Sequence, residues 1–248
     1  MIGGSIALGL RKAGWHVTGI DNNADRLGLA VSSGVIDDMM SLEDVDGGEL
    51  GVVAIPVGHV AGAVQALLDA GLDVVTDVGS VKAPIAAAID DPRFVPGHPM
   101  AGSEQDGLAG ASADMFSGAT WVLCPTTSTD DAAFASVREV AVSLGAHAIA
   151  IPADRHDMLV AVVSHVPHLT AATLMSLADG RAVEHRALLR LAAGGFRDMT
   201  RIAAGHPAIW PDICAENADA IVDVLDELRV ELGRVRDTIA GRDRNDLL

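Results

Sequence analysis

The sequence predicts an α/β protein, in which a Rossmann-like, doubly wound parallel sheet is followed by an all-helical domain. Three observations indicate this fold class. Short apolar runs alternate with helical stretches through the first part of the chain, a glycine-rich turn opens it, and no strand pattern is found from Asp154 to Asp246. Such alternation is typical of βαβ units with parallel strands. We therefore expect an α/β domain over residues 1–152 and a helical domain over residues 153–248.

The elements of the first domain follow in order along the chain. Residues 15–21 read as a strand ending in Asp21, residues 51–57 as a strand closed by Pro56, and residues 59–71 as a helix. The remaining predicted elements are strands over 72–80, 119–125 and 146–152, a short strand running into a loop over 94–104, and a helix over 131–145.

Composition narrows the range of partners. Half of the 248 residues are hydrophobic and the formal net charge is −17, so neither a nucleic acid nor an anionic membrane is an expected partner. Cys124 and Cys214 lie far apart in apolar surroundings and read as buried, reduced thiols. The sequence has no long uninterrupted apolar stretch and no signal-peptide pattern at Met1, and we expect a cytoplasmic protein.

The opening stretch "MIGGSIALGLRKAGWHVTGID" has the pattern of a dinucleotide site. Gly3, Gly4 and Ser5 read as the end of a phosphate loop, with a helix over 7–13 behind it, and Asp21 follows Gly3 by 18 residues. An acid at this distance binds ribose hydroxyls and favours NAD over NADP. The nearby Arg26 keeps NADP open as an alternative. The other interpretation is a tight turn with a solvated acid at a strand end.

The fingerprint begins late, because its first two glycines and the preceding strand fall upstream of Met1. That strand is central in a doubly wound sheet, and its removal would leave two edges unpaired. We therefore expect Met1 to be an internal methionine and the native protein to start about ten or more residues upstream, the length of a short strand and the loop start.

The unusual polar residues are concentrated in four stretches. Two follow strands of the first domain, where open α/β sheets bind ligands, and two lie in the helical domain. They are "DVGSVK" (77–82), "GHPMAGSE" (97–104), "VVSHVPHLT" (162–170) and "GGFRDMTRIAAGHPAIWPDI" (194–213).

From "IGGS" to "WPDI", these stretches together resemble the prephenate/arogenate dehydrogenase family of tyrosine biosynthesis. The resemblance implies a Rossmann domain, a helical domain that forms a homodimer, and NAD(P)-dependent oxidative decarboxylation of a cyclohexadienol to 4-hydroxyphenylpyruvate or tyrosine. NAD is the expected cofactor, the expected substrate is prephenate or arogenate, and no metal is required. His165 and His168 lie three residues apart, but Pro167 and the lack of a third ligand argue against a metal site.

The resemblance also implies roles for particular residues. His98 matches the catalytic histidine, whose neutral imidazole takes the substrate hydroxyl proton near pH 7, and Ser80 matches the serine that shares this hydroxyl. Arg201 and His168 match substrate-binding positions, because a guanidinium suits a carboxylate.

Each of these residues also has a structural interpretation. His98 can be a loop histidine bonded to backbone, Ser80 a helix N-cap, and Arg201 a surface arginine paired with Asp198. Three residues match family positions around the rim of the substrate pocket, where a structural or gating role is expected: Glu104, Asp198 and Trp210.

Two departures and two alternatives remain. "GSEQDG" places Gln105 and Asp106 where the family usually has a lysine and a serine, which leaves the substrate preference open. A β-hydroxyacid dehydrogenase has the same two-domain plan, but it uses a lysine of the helical domain, and residues 153–248 contain none. The other alternative is a non-catalytic dimeric binding protein with a damaged cofactor site.

Overall fold

A computed structural model describes residues 1–102, 105, 107–185, 187–205 and 207–242 of the chain. The chain packs into two compact units. The first comprises residues 1–156 and 205–216, and the second comprises residues 157–204 and the chain from residue 217 onward. The segment 205–216 therefore packs with the α/β part of the chain, although predicted helices of the second domain flank it in sequence.

Short strands and helices alternate in the first unit. The strands are β1 (Thr18–Gly19), β2 (Asp38–Met39), β3 (Gly51–Val53), β4 (Val75–Asp77), β5 (Phe94–Val95), β6 (Gly97–Pro99), β7 (Thr120–Leu123) and β8 (His147–Ala150). The helices are α1 (Ile2–Lys12), α2 (Ala24–Ser32), α3 (Val57–Asp69), α4 (Ala83–Ala88), α5 (Asp131–Ser143) and the start of α6 (Ala153–Val160), with α10 (Trp210–Glu216) returning to this unit.

The strands form three hydrogen-bonded ladders. β1 pairs with β2, and β3, β4 and β5 pair in that order, all in parallel. In the third ladder β7 is parallel to β8 but antiparallel to β6, where His98 lies opposite Val122. Among the described residues β1 and β3 do not pair with each other. Only Pro96 separates β5 from β6, so the chain passes from the second ladder to the third at this residue.

Helix α3 shows why this part of the chain folds as it does. Its apolar residues recur at helical spacing, and Val60 and Val64 are fully excluded from solvent against Val75 of β4. Ile213 and Trp210 of α10 pack on the same cluster. The "WPDI" stretch thus packs with the first unit.

Helix α1 begins at Ile2, five residues earlier than predicted. Glycine is a poor helix former, so the sequence suggested a loop through Gly3 and Gly4. Tertiary packing overrides this preference: a Cβ on Gly3 would lie 3.0 Å from Ala54 Cβ, and one on Gly4 would lie 3.0 Å from Leu108 Cδ2. The glycines therefore form the first turn of the helix, because only they allow this close approach.

The second unit is helical. After α6 it contains one π-helical turn, Ala161–His165, and then α7 (Val166–Ala182), α8 (Leu188–Leu191), α9 (Gly194–Thr200) and α11 (Ala218–Gly241). The sequence predicted one helix through this region. The π turn occurs just before Pro167, whose ring lacks an N–H and clashes with the carbonyl four residues earlier in a regular helix.

A buried amide fixes the π turn. Asn217 Nδ2 donates to the carbonyl oxygen of Asp157 at 2.9 Å and lies 3.1 Å from His165 Nδ1. Because the amide group donates, His165 Nδ1 accepts, and the hydrogen of the neutral ring lies on Nε2. Asn217 and His165 are both almost fully buried.

Apolar side chains are exposed on the second unit. The helical run Ala153–Ala182 is long and apolar enough to cross a membrane by length and composition alone, a property shared by core helices of soluble proteins. Of its most apolar 18-residue stretch, 33 % is buried. On α11 one apolar stripe is exposed, made of Leu225, Leu232, Val235 and Ile239.

We predict that Asp37→Asn lowers the melting temperature at pH 7 but not in acid. The hydrogen bond from the Val17 N–H, followed by the bond from Arg11, lowers the pKa of Asp37. This contribution to stability is complete above the ordinary aspartate pKa of about 3.9 and is lost as the pH falls through the lowered value. Thermal unfolding at pH 7 and near pH 2 measures the effect. Asp38→Asn, at an exposed neighbour, is the control, and equal losses at both pH values would contradict the prediction.

Candidate active site

The chemically unusual residues of the first unit lie where β4 and β6 are held together. The chain leaves β4 at Asp77 and reaches Ser80 three residues later, while His98 is the middle residue of β6. The carboxylate of Asp77 accepts the N–H of Gly97 at 3.2 Å. Ser80 and His98, both predicted as catalytic, are therefore on two segments joined by direct hydrogen bonds.

His98 is paired with a second histidine. Its Nδ1 lies 2.8 Å from His156 Nε2, and the ring planes meet at 74°. Gly97 and Pro99, its neighbours on β6, are buried, while His98 is only partly buried, as the alternating faces of a strand require. His156 is fully buried.

This geometry has a consequence for proton transfer. One hydrogen lies between the two ring nitrogens. When it is on His98 Nδ1, the lone pair of His98 is on Nε2, which is the form that a general base needs. His156 Nε2 then accepts, and it stabilises the imidazolium that forms when His98 takes up a proton.

Ser80 is partly buried and is not the N-cap of the following helix. Helix α4 begins at Ala83, and its N-cap residue is Lys82. The predicted helix began earlier because the sequence "VKAPIAAAI" is apolar apart from Lys82, but Pro84 starts a helix efficiently only within its first turn.

The predicted cofactor residues lie at the start of α1 and the end of β1. The first-turn N–H groups of a helix are unpaired within the helix and favour an anion, and Gly3 and Gly4 leave no side chain over them. The crowding around both glycine Cα atoms fits a pyrophosphate-binding turn. Ser5 is fully buried: its Oγ donates to the Met1 carbonyl and accepts from the Ser112 N–H, both at 3.1 Å. Direct contact of Ser5 with a cofactor stays a prediction.

Asp21 follows β1 and accepts from two groups. Its Oδ1 accepts the Asn23 N–H at 2.9 Å, and Arg26 Nη1 lies 2.9 Å and 3.1 Å from its two oxygens. Asn23 caps α2 by accepting the Arg26 N–H. Arg26 therefore partly neutralises the acid that would face a ribose.

The second unit brings His168 and Arg201 into one neighbourhood. His168 Nδ1 lies 3.0 Å from the carbonyl oxygen of Ile202, the residue after Arg201. A carbonyl only accepts, so Nδ1 carries the hydrogen and Nε2 the lone pair. Burial lowers the pKa of His168, against the opposing effect of this hydrogen bond, so its ring is neutral at pH 7. Arg201 is exposed at the end of α9.

Of the three predicted rim residues, the two that the structure describes lie in different units. Trp210 packs on the α3 core of the first unit, Asp198 is exposed on α9 in the second, and Glu104 lies outside the described residues. Sequence reasoning missed His156, which nothing in its local sequence distinguishes. It also gave no role to Asp77 and Lys82. Two ionisable residues within the apolar run "VVTDVGSVKAPI" indicate buried charges that are paired with each other.

Comparison with known proteins decides the family. The model for the prephenate dehydrogenase nucleotide-binding domain matches residues 6–150, and the model for the prephenate dehydrogenase dimerization domain matches residues 152–248. The chain belongs to the prephenate dehydrogenase family. This confirms the predicted fold class, a Rossmann-like domain followed by a helical dimerisation domain, and it decides against the β-hydroxyacid dehydrogenase alternative.

Individual relatives agree with this assignment. The chain is 34% identical over 259 residues to prephenate dehydrogenase of Bacillus subtilis, a match that covers 100% of the chain and 70% of the relative. The structure of prephenate dehydrogenase from Aquifex aeolicus with hydroxyphenyl propionate and NAD+ has a TM-score of 0.93 and 29% identity over 99% of this chain and 90% of that one. Synechocystis arogenate dehydrogenase has a TM-score of 0.82 and 28% identity, with 99% and 91% covered. The chain is thus an oxidoreductase of the tyrosine-biosynthesis family.

We predict that His98→Asn lowers kcat of this family member by about 10²–10⁴-fold, the usual effect of removing a general base. NADH binding, measured by fluorescence titration, should be nearly unchanged because the predicted cofactor residues lie on α1 and just after β1. His147→Asn, an exposed histidine in β8 of the same ladder, is the matched control. A near-normal kcat for His98→Asn would rule out its role as the base.

Proposed function

We propose that the chain catalyses the NAD-dependent oxidative decarboxylation of prephenate to 4-hydroxyphenylpyruvate, or of arogenate to tyrosine. The observation that best supports this is the His98–His156 pair on the strand next to the Ser80 loop. It supplies a polarised imidazole on a strand that Asp77 hydrogen-bonds to the segment leading to Ser80, and proton removal from an alcohol requires such a base.

The reaction divides into two steps. His98 Nε2 takes the proton of the C4 hydroxyl, which Ser80 orients, while hydride leaves C4 and a dienone carbonyl forms. The carboxylate on the ring then leaves as carbon dioxide, its bonding electrons aromatise the ring, and the proton returns to the oxygen to give a phenol. NAD+ supplies the hydride acceptor when it is bound.

NAD is the cofactor. The first-turn N–H groups of Gly3 and Gly4 would hold its pyrophosphate, and Asp21 would accept from the ribose hydroxyls. The Aquifex aeolicus relative, whose structure contains NAD+, supports this choice. The Asp21–Arg26 contact keeps NADP as the second candidate, since the same arginine is a suitable partner for a 2′-phosphate.

The substrate has carboxylates, so its site needs cations and hydrogen-bond donors. Arg201 is the proposed partner of one carboxylate, as a bidentate guanidinium. His168 is the proposed neighbour of the substrate side chain and, being neutral, acts there through hydrogen bonding. Glu104 is the proposed polar group at the rim.

Residues 1–152 form the proposed cofactor domain, and residues 153–248 the proposed substrate and dimerisation domain. The exposed apolar stripe of α11 and the apolar surface of α7 suit a homodimer interface, since monomeric soluble proteins rarely expose contiguous apolar patches of this kind. The proposed location is the cytoplasm.

Absorbance at 340 nm tests the proposal directly. Purified protein with NAD+ should produce NADH when prephenate or arogenate is added, and kcat/KM for each gives the preference. Parallel assays with NADP+ settle the cofactor. NADH binding without turnover of either substrate would favour the non-catalytic alternative.

We predict that Arg201→Ala raises the substrate KM and has a smaller effect on kcat. Loss of a charged hydrogen-bond partner costs on the order of 2–5 kcal/mol in binding when the pair is desolvated, and the rise in KM is smaller than this if Arg201 stays as exposed as it is here. Arg197→Ala, one helical turn earlier on α9, removes an exposed arginine of the same unit and is the control. If KM does not change, the substrate carboxylate binds elsewhere.

We predict a dimer at micromolar concentration by light scattering, and a monomer for Leu232→Glu. The substitution places a charge in the exposed stripe of α11, where Leu232 is 57% exposed. Val230→Glu is the control, because Val230 is 50% exposed but lies about 160° around the helix from Leu232. A wild-type monomer, or a Leu232→Glu dimer of unchanged stability, would contradict this interface.

A further inference from the structure

A buried ion pair lies where the chain leaves β4. The side chains of Asp77 and Lys82 are both 0% exposed, and the Lys82 ammonium donates to Asp77 Oδ2. Taking two charges out of water opposes folding, and apolar residues of similar size often give equal or greater stability in such positions. Stability alone therefore does not account for this pair.

The pair binds backbone groups of two glycines. Asp77 Oδ2 accepts the Gly79 N–H at 2.8 Å, and its Oδ1 accepts the Gly97 N–H at 3.2 Å. Lys82 Nζ also donates to the Gly97 carbonyl oxygen at 2.9 Å. Both backbone polar groups of Gly97 are thus held by the two charged side chains.

The contacts leave no room for side chains on these glycines. A Cβ on Gly79 would lie 2.9 Å from Asp77 Oδ2. A Cβ on Gly97 would lie 2.9 Å from the Asp77 carbonyl oxygen and 3.1 Å from Trp121 Nε1. The backbone at Gly79 therefore approaches the carboxylate closely because it carries no Cβ, and the missing Cβ of Gly97 lets β6 lie against the backbone at the end of β4.

We propose that Asp77 and Lys82 are positioning residues that set the distance and orientation between Ser80 and His98. Ser80 follows the first of the two glycines, and His98 follows the second. The proposal rests on the proposed function, because it assumes the roles given to Ser80 and His98. Neither charged group touches substrate: both are fully buried, and the ammonium is bonded to a carboxylate and a carbonyl.

A charge-removal series tests this. Lys82→Met leaves a buried carboxylate without its cation, whereas the double variant Asp77→Asn/Lys82→Met removes both charges at similar volume. We expect kcat to fall by about 10–10²-fold in both, the effect of misplacing a catalytic group by about 1 Å, with both KM values within about threefold of wild type. The double variant should recover most of the melting temperature that Lys82→Met loses, but not kcat.

The matched control is Arg93→Met, which removes a structural cation that donates to the carbonyls of Leu68 and Leu72 at the end of α3. It should lower the melting temperature and leave kcat unchanged. Recovery of both stability and kcat in the double variant would overturn the proposal, because the pair would then be purely structural. If Lys82→Met does not fold, the double variant alone decides.

A second measurement needs no turnover. The ring ¹⁵N signals of His98, assigned with His98→Asn, report its hydrogen bond to His156. We expect them to move in the double variant and not in Arg93→Met, and unchanged signals would overturn the proposal. If wild-type protein oxidises neither substrate, the proposed function fails, while these signals still decide whether the pair positions His98.

Discussion

The carboxylate of Asp77 joins two ladders at the point where the chain crosses between them. The β4–β5 pairing ends at Thr76 and Val95, and the next residue, Pro96, has no N–H with which to continue it. Side chains supply the hydrogen bonds between the two segments at this point. Thr76 Oγ1 donates to the Val95 carbonyl at 2.7 Å, and Asp77 accepts the Gly97 N–H beyond the proline. These side-chain bonds attach the start of β6 to the end of β4, while β7 pairs with β6 on its other side and His98 lies between these contacts.

Elements with strong periodicity and clear end signals could be predicted from the sequence. Helix α3 was expected over 59–71 and begins two residues earlier, at Val57. Helix α2 and strand β2 were missed because their sequences carry little apolar pattern: Ala30 is the buried residue of α2, and both residues of β2 are exposed. The π turn was missed because it comes from a steric conflict at Pro167 within a continuous apolar pattern, which periodicity does not report.

The site was predictable to the extent that its residues lie in short local patterns. His98 in "GHPMAG" was expected where a strand runs into a loop, and it lies in the middle of β6; its catalytic role stays a prediction. Its partner His156 is 58 residues away, and no local pattern links residues so far apart. Asp77 and Lys82 were predictable in part. Two opposite charges five residues apart in an apolar run predict a buried ion pair, but they do not predict which backbone groups the pair binds.

The charge balance of the chain restricts how it can bind an anionic substrate. With 34 acidic and 17 basic residues, the long-range field opposes the approach of a dicarboxylate. Two basic groups of the first unit are engaged internally, Arg11 with Asp37 and Lys82 with Asp77. We therefore expect affinity to come from short-range contacts between substrate oxygens and groups such as the Arg201 guanidinium and the His168 imidazole, because such contacts are screened far less than the surface field. Lys82 fits this pattern: its buried ammonium holds the Gly97 backbone, and the proposed partner of the substrate carboxylate is a different residue, Arg201.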